Sequence, residues 1–335
     1  CRCSTNKSYG WGKVHGKFLS TTKKTKLMSQ YRIRNWSEYN KGLKQRGSLT
    51  FWISPAVLST WEVKEKTGKP GATATYTNDA IVTMVSLKSV FGLPGRALCG
   101  FVESIFKLMQ VGLSVPDHST ISRRLKRLDV KLPVNPVSGK RHVVIDSTGV
   151  KVYGEGEWKT RQHGVSKRRT WRKLHLAVDE ATGEILSGVV TNNSCHDSEV
   201  LGELLDDIAE PISQVDADGA YDKCHCYDFI EERGAVAGIP PQRNAKIWFH
   251  GNRKTPRHPR DENLRKIRLV GRAKWKRLIG YHRRSLAETT MFRVKTAFGG
   301  KVSSRKMNRQ VNELKAQCLV LNRMIQVAKP DSYAC

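Results

Sequence analysis

His142-Val-Val-Ile-Asp146-Ser-Thr-Gly-Val-Lys-Val-Tyr153 decides how this chain folds. The run is rich in β-branched residues, which suit a pleated, half-buried strand better than a helix. It also places a carboxylate, Asp146, in the middle of an apolar strand with no turn signal before it. Downstream, Trp171-Arg-Lys-Leu-His-Leu-Ala-Val-Asp179 alternates with period two, Glu180-Ala-Thr-Gly183 reads as a turn, and Ile185 to Val190 returns as a third strand.

Ser198 to Ile208 has a helical pattern. Ile212 to Val215 is a short buried strand that runs into Asp216-Ala-Asp218-Gly219. Tyr227 to Arg233 is helical again, and Ala235 to Ile239 is a last strand before Pro240-Pro241. Three antiparallel strands followed by alternating helix and strand give a mixed α/β class, in the order of a ribonuclease-H-like sheet. Residues 310–327 read as a closing amphipathic helix built on Val311, Leu314, Cys318, Leu321 and Ile325.

Upstream of the strands the pattern is helical. Residues 35–46 read as a short helix closed by Gly47, and residues 60–78 as a linker or loop. Asp79 is read as capping a helix to about Val90, and Pro94 opens a second. Ser119 is read as the cap of a third, basic helix with Ile121, Leu125 and Leu128 inward. Helix, short turn and basic helix outline a small all-α, helix-turn-helix-like region. Its exposed residues Ser122, Arg123, Lys126 and Arg127 are candidate DNA contacts. The expected division is a non-native or unstructured extension (1–27, with Met28 as the natural start), a helical DNA-binding region (28–135) and a ribonuclease-H-like catalytic domain (136–330).

A second signal lies in Tyr281-His-Arg-Arg284-Ser-Leu-Ala-Glu288-Thr-Thr-Met-Phe-Arg-Val-Lys295. At about 100° per residue, Tyr281, Arg284, Glu288 and Lys295 fall within roughly 60° on one helix face. A tyrosine, two bases and a carboxylate are not a core stripe. Between Gln242 and Gln310 the only acids are Asp261, Glu262 and Glu288, so this carboxylate sits in a basic setting. A second basic stretch, Trp158 to Lys173, interleaves aromatics with bases and offers Arg168, Arg169 and Arg172 to a nucleic-acid backbone.

Three carboxylates then stand out: Asp146 within a strand, Asp218 at the end of another, Glu288 on the late helix. Buried together they repel one another, which divalent metal relieves. Hard oxygen donors select Mg²⁺, with Mn²⁺ as a substitute, over zinc. Two such ions suit in-line displacement at a phosphodiester. Asp179 is set aside as a turn residue, and Asp216 is read as facing away from Asp218.

The chain carries 59 Lys and Arg against 30 Asp and Glu, a net charge of +29, which implies a polyanionic partner. No apolar run reaches the roughly 18 residues of a membrane span, and the first 27 lack a signal-peptide core. The eight cysteines are scattered, as in a reducing cytoplasm, and Cys224-His225-Cys226 is a weak metal motif whose spacing is too tight for a zinc module.

The spacing Tyr281, Arg284, Glu288, Lys295 resembles the signature of DDE-type bacterial insertion-sequence transposases, specifically the insertion-sequence-five family. Val144-Ile-Asp146-Ser-Thr-Gly149 and Asp216-Ala-Asp218-Gly-Ala-Tyr-Asp222 are similar to the segments around that family's two catalytic aspartates. The resemblance runs from about Tyr31 to Met324. It implies Asp146, Asp218 and Glu288 as catalytic metal ligands and Mg²⁺-dependent cleavage and strand transfer. It also implies double-stranded DNA partners (element ends bearing terminal inverted repeats, and target DNA), and a homo-oligomer in the synaptic complex. Arg284 and Lys295 would hold phosphates, with Tyr281 supporting that face. The setting implied is the bacterial cytoplasm, at the nucleoid. The rival readings are a stand-alone nuclease of the same fold and a transposase-derived regulator that binds DNA without cutting it.

Overall fold

The computed structural model describes residues 31–64, 74–152, 171–248 and 257–334. The extension 1–27, Arg168, Arg169 and most of the Trp158–Lys173 stretch lie outside these residues.

Two compact units are present. The smaller joins the chain ends: strand β1 (Tyr31–Ile33) pairs antiparallel with β8 (Ser332–Ala334). Arg34 N–H donates to the Asp331 carbonyl at 2.8 Å, and its guanidinium stacks over the Tyr333 ring.

The larger unit is built around the strand that opened the sequence reading, β2 (Arg141–Val152). It pairs antiparallel with β3 (Trp171–Asp179), which pairs antiparallel with β4 (Ile185–Asn192). On its other side β2 pairs in parallel with β5 (Ile212–Asp216), and β5 with β6 (Val236–Gly238). The order is β4-β3-β2-β5-β6, with the two-residue β7 (Lys301–Val302) alongside the far end of β2. This is the mixed α/β, ribonuclease-H-like sheet expected of the sequence.

Both faces of the sheet are covered, so its strands are apolar on both sides rather than alternating. Val143 and Ile145 face a cluster with Leu201, Leu204, Leu205, Tyr227 and Ile230. Val144 and Val150 face the opposite cluster, with Ala287, Met291, Val294, Leu314 and Cys318. The alternation thus sends Asp146 toward the side of the Ser285–Phe298 helix and Ser147 toward the side of the Leu201–Asp206 helix.

After α1 (Trp36–Arg46), the N-terminal helices α2 (Leu49–Trp52), α3 (Pro55–Ser59), α4 (Asn78–Phe91), α5 (Gly95–Leu108) and α6 (His118–Arg124) share a third cluster around Trp52, Trp61, Met84, Leu98 and Phe106. Two caps differ from expectation. Thr77, not Asp79, caps α4, its hydroxyl accepting from Ala80 N–H; Asp79 falls in the first turn, where its charge suits the helix dipole. Asp117, not Ser119, caps α6, its carboxylate accepting from Ser119 N–H at 2.8 Å. Ile121, Leu125 and Leu128 are buried as expected, and a 3₁₀ turn, Leu125–Arg127, follows α6.

The closing helix, Met307–Val327, has two working faces. Leu314, Cys318, Leu321 and Ile325 pack under the sheet, while Ala316, Leu319 and Val320 enter the N-terminal helical cluster. Three of its buried amides, Gln310, Asn312 and Asn322, are hydrogen-bonded. Asn322 exchanges two hydrogen bonds with the Ile185 backbone at 2.8 Å each, and Asn312 donates to the Leu125 carbonyl at 2.7 Å. Unpaired amides at these depths would cost about 1–3 kcal/mol each. No single helix among the described residues is long and apolar enough to cross a membrane.

Candidate active site

Asp146 lies at the centre of β2, paired in register with Leu176, and its carboxylate accepts from Ser147 N–H at 2.9 Å. Asp218 follows β5 by two residues. The strand ends at Asp216, so period-two alternation does not govern Asp218. It caps a 3₁₀ turn (Gly219–Tyr221), accepting from Ala220 N–H at 2.8 Å. Asp216 is buried and engaged by His142 at 3.0 Å and Gln214 at 2.8 Å. Asp179 is likewise committed, to Arg141 and to its own turn.

Glu288 stands in the first turn of the Ser285–Phe298 helix. The segment before it departs from the simple helical expectation: Tyr281–Arg284 form a 3₁₀ turn entered through Gly280, whose φ of 70° needs a glycine. The turn still brings Arg284 over Glu288, and the guanidinium pairs with the Glu288 carboxylate and, at 3.3 Å, with Asp146. Arg284 also lies over the Tyr281 ring at 5.8 Å, and Lys276 approaches the same ring at 4.5 Å.

Asp146, Asp218 and Glu288 feel one another. Burial pushes the Asp146 carboxyl above its ordinary value; Asp218 and Glu288 push it further, while Ser147 N–H and Arg284 oppose the rise. Burial also raises the Tyr281 hydroxyl, against the pull of Arg284. Three segments far apart in sequence therefore come together around a single guanidinium. Lys295, two turns beyond Glu288, is exposed and has no partner among the described residues. Phe292, on the same face, is 68% exposed. It drew no notice in the sequence because a phenylalanine in a helix reads as core.

The donor set is that of a hard divalent cation, carboxylate oxygens only. As they stand, no three His, Cys, Asp or Glu side chains among the described residues are gathered closely enough to hold an ion. The positive charge between Asp146 and Glu288 is Arg284. Cys224, His225 and Cys226 do not converge. Cys226 is buried with its thiol toward the Ser198 carbonyl, whereas Cys224 is exposed.

Behind Asp146, on the other side of the sheet, is a group that the sequence reading missed. Asp197 accepts from Ser147 Oγ at 2.7 Å and from Lys173 Nζ at 3.0 Å. Burial opposes its charge, and those two hydrogen bonds outweigh burial, holding the carboxyl below its ordinary value. His175, wholly buried, has Nδ1 4.0 Å from Asp197, and burial lowers its pKa. The buried Tyr221 hydroxyl has no hydrogen-bond partner among the described residues and is raised by burial and by Asp197, Asp218 and Asp146. Ser147, Lys173 and Asp197 are 24 to 50 residues apart, so no local motif marks them.

The other expected DNA contacts divide. Arg123, Lys126 and Arg127 line a cleft of about 700 Å³ with Arg124 and Arg309 and, among the described residues, no acid. Arg124 is fixed by the Tyr76 carbonyl and Asn78. Ser122 lines a neighbouring cavity instead, with Lys88, Arg305 and Glu313. Arg172 donates Nε–H to Gln310 at 2.7 Å, tying β3 to the closing helix. The basic run 257–287 keeps little acid at its surface: Asp261 is buried, accepting from Trp248 N–H, and Glu262 pairs with Arg265.

Comparison with known families agrees with this geometry. A family described as a transposase DDE domain matches residues 137–323, more than half of the chain. A second family of the same description matches residues 44–155.

Proposed function

This chain belongs to the DDE transposase family, and we propose that it binds the terminal inverted repeats of an insertion sequence and catalyses Mg²⁺-dependent cleavage and strand transfer. The observation that carries this reading is the approach of Asp146, Asp218 and Glu288, from the middle of β2, the turn after β5 and a helix, to one another beside Arg284. These three carboxylates would hold the divalent ions, Mg²⁺ or Mn²⁺. When bound, such ions supply an activated water or 3′-hydroxyl and charge relief at the leaving oxygen.

The chain's own residues do the rest. Arg284 neutralises Asp146 and Glu288 in the metal-free site and becomes a phosphate ligand when they turn to cations. Lys295 offers an ammonium unpaired among the described residues, two helical turns from Glu288. Tyr281 is held between Lys276 and Arg284 and stiffens that face. Phe292 offers an open ring to a base or deoxyribose. The acid-free cleft of Arg123, Lys126 and Arg127 is the proposed duplex-binding surface of a region 28–135, ahead of a catalytic region 136–330. Ser122 borders that surface. Arg168, Arg169 and Arg172 would extend the backbone contacts. The spacing of Tyr281, Arg284, Glu288 and Lys295 favours the insertion-sequence-five branch, working on nucleoid DNA in a bacterial cytoplasm and as a multimer when DNA ends are paired.

The test is cleavage of an element end by Asp146→Ala, Asp218→Ala and Glu288→Ala. Each abolishes cutting and joining while binding to the end persists, slightly strengthened by the loss of a negative charge. Near-normal cutting by any one removes that residue from the site. Cutting without joining of a precut end by the intact chain would instead make it a nuclease.

A further inference from the structure

We propose that Asp197 is a positioning residue for Asp146 and acts through Ser147. This rests on the assignment of Asp146 to the catalytic centre.

The argument begins with the pleat. Neighbouring residues of a strand point to opposite faces. Asp146 follows Val144 toward the Ser285–Phe298 helix, and Ser147 follows Ile145 toward the other layer. There the Ser147 hydroxyl donates to Asp197 Oδ2 at 2.7 Å. The backbone N–H of the same serine donates to Asp146 Oδ1 at 2.9 Å. One residue thus connects a carboxylate on the back of the sheet to the carboxylate on its front.

Asp197 is itself well held. It opens a 3₁₀ turn (Asp197–Val200) after β4, and its side chain is only 19% exposed. Lys173, on the strand next to β2, donates to Asp197 Oδ1 at 3.0 Å and to the Cys195 carbonyl at 2.8 Å. The lysine therefore grips both the side chain and the backbone of the turn. Lys173, Asp197, Ser147 and Asp146 form a continuous chain of hydrogen bonds. It fixes the strand at the point where Asp146 leaves it. A carboxylate that must meet a cation at a defined angle needs such support, and loss of an outer partner of a metal ligand typically costs about 10–100-fold in affinity or rate. Asp197 is on the far face from Glu288, so its role is orientation.

The experiment is a double-mutant cycle on Ser147→Ala and Asp197→Ala, with Asp197→Asn and Asp146→Ala alongside. Single-turnover cleavage of an element end, DNA affinity, thermal unfolding, and Mn²⁺ binding without DNA are measured for each. We expect Ser147→Ala and Asp197→Ala each to lose about 10–100-fold in cleavage rate and to weaken Mn²⁺ binding, with DNA affinity unchanged. The double variant is no slower than the slower single one, because both changes cut the same link. Asp197→Asn recovers most of the rate, since its carbonyl still accepts from Ser147. Full rate in Ser147→Ala, which removes one oxygen and is the variant least able to unfold the sheet, overturns the proposal. So do effects of the two alanines that multiply. If Asp146→Ala also cleaved normally, the failure would belong to the assignment of the centre and not to this link.

Discussion

The Arg284 guanidinium lies 3.3 Å from the Asp146 carboxylate while it pairs with Glu288 in the first turn of the helix that follows it. One permanent cation thus sits between two of three clustered carboxylates. Without it Asp146, already raised by burial, would be harder still to ionise. The same residue competes with any divalent ion for those oxygens.

Replacing Arg284 with Ala therefore acts in opposite directions on two measurements. Mn²⁺ binding to the DNA-free protein becomes tighter, on the order of tenfold, because a fixed charge worth roughly 1 kcal/mol or more at this range is gone. Cleavage of an element end falls, since the freed phosphate ligand is lost. Calorimetry without DNA separates the two. Weaker Mn²⁺ binding in the variant would mean that Arg284 organises the carboxylates instead of competing for them.

Legibility in the sequence followed how locally each feature is encoded. β2, β3 and β4 were readable because β-branched and alternating residues mark strands within a few positions. The face of Tyr281, Arg284, Glu288 and Lys295 was readable because polar residues at helical spacing contradict a core stripe. The helices Pro259–Val270 and Arg272–Leu278 were not, since charge conceals their inward sides. Arg260 is buried, pairs with Asp222 at 2.6 Å and stacks on Trp248 at 3.5 Å, whereas a sequence reading assigns an arginine to the surface. Asp197 was invisible for a different reason: its meaning depends on partners brought together by strand pairing.

Arg141 tests the stability of the sheet apart from its chemistry. Its side chain is fully buried and donates to Asp179 at 2.7 Å, Glu210 at 2.8 Å and the Asn135 carbonyl at 2.8 Å. Arg141→Ala leaves Asp179 buried without its counter-ion and costs about 3–5 kcal/mol in unfolding free energy. Glu210, more exposed, is held below its ordinary value by the hydrogen bond from Arg141. A lowered carboxyl contributes stability above its unfolded value, near 4.3, and loses it as pH falls through the folded value. Glu210→Gln should therefore lower stability at neutral pH and leave it nearly unchanged below the folded value, which flattens the acid limb of the unfolding profile. Neutral stability identical to wild type would show that the pair contributes nothing.

Salt dependence tests the polyanion reading. With a net charge of +29, DNA affinity should fall steeply and linearly in log–log form as salt rises, because each neutralised phosphate releases counterions. Removing Arg123 or Arg127 from the acid-free cleft lowers that slope by about one each if they contact phosphate. A flat dependence between low and physiological salt removes the argument from charge.

Lys295 and the Arg123–Arg127 cleft should separate by function. Lys295 is exposed and without a partner among the described residues, on the face that carries Glu288. A lysine there meets a phosphate as a point charge and reads no base. Lys295→Ala should slow cleavage equally on every end sequence, by tenfold or so, with little change in the affinity for uncut duplex. Arg123 belongs to α6, whose apolar side is fixed by Ile121 and whose carboxylate cap sets its direction. Arg123→Ala and Arg127→Ala should weaken binding to the end, and any narrowing of the gap between end and random DNA would mark a base-reading contact. Cleavage by these two variants at saturating DNA should stay close to wild type, because nothing they touch reaches Asp146, Asp218 or Glu288. The measurement is a pair of titrations, affinity and single-turnover rate, on a cognate end and a scrambled one. Loss of end discrimination in Lys295→Ala, with only a rate defect in the two arginine variants, would reverse the assignment of the two surfaces.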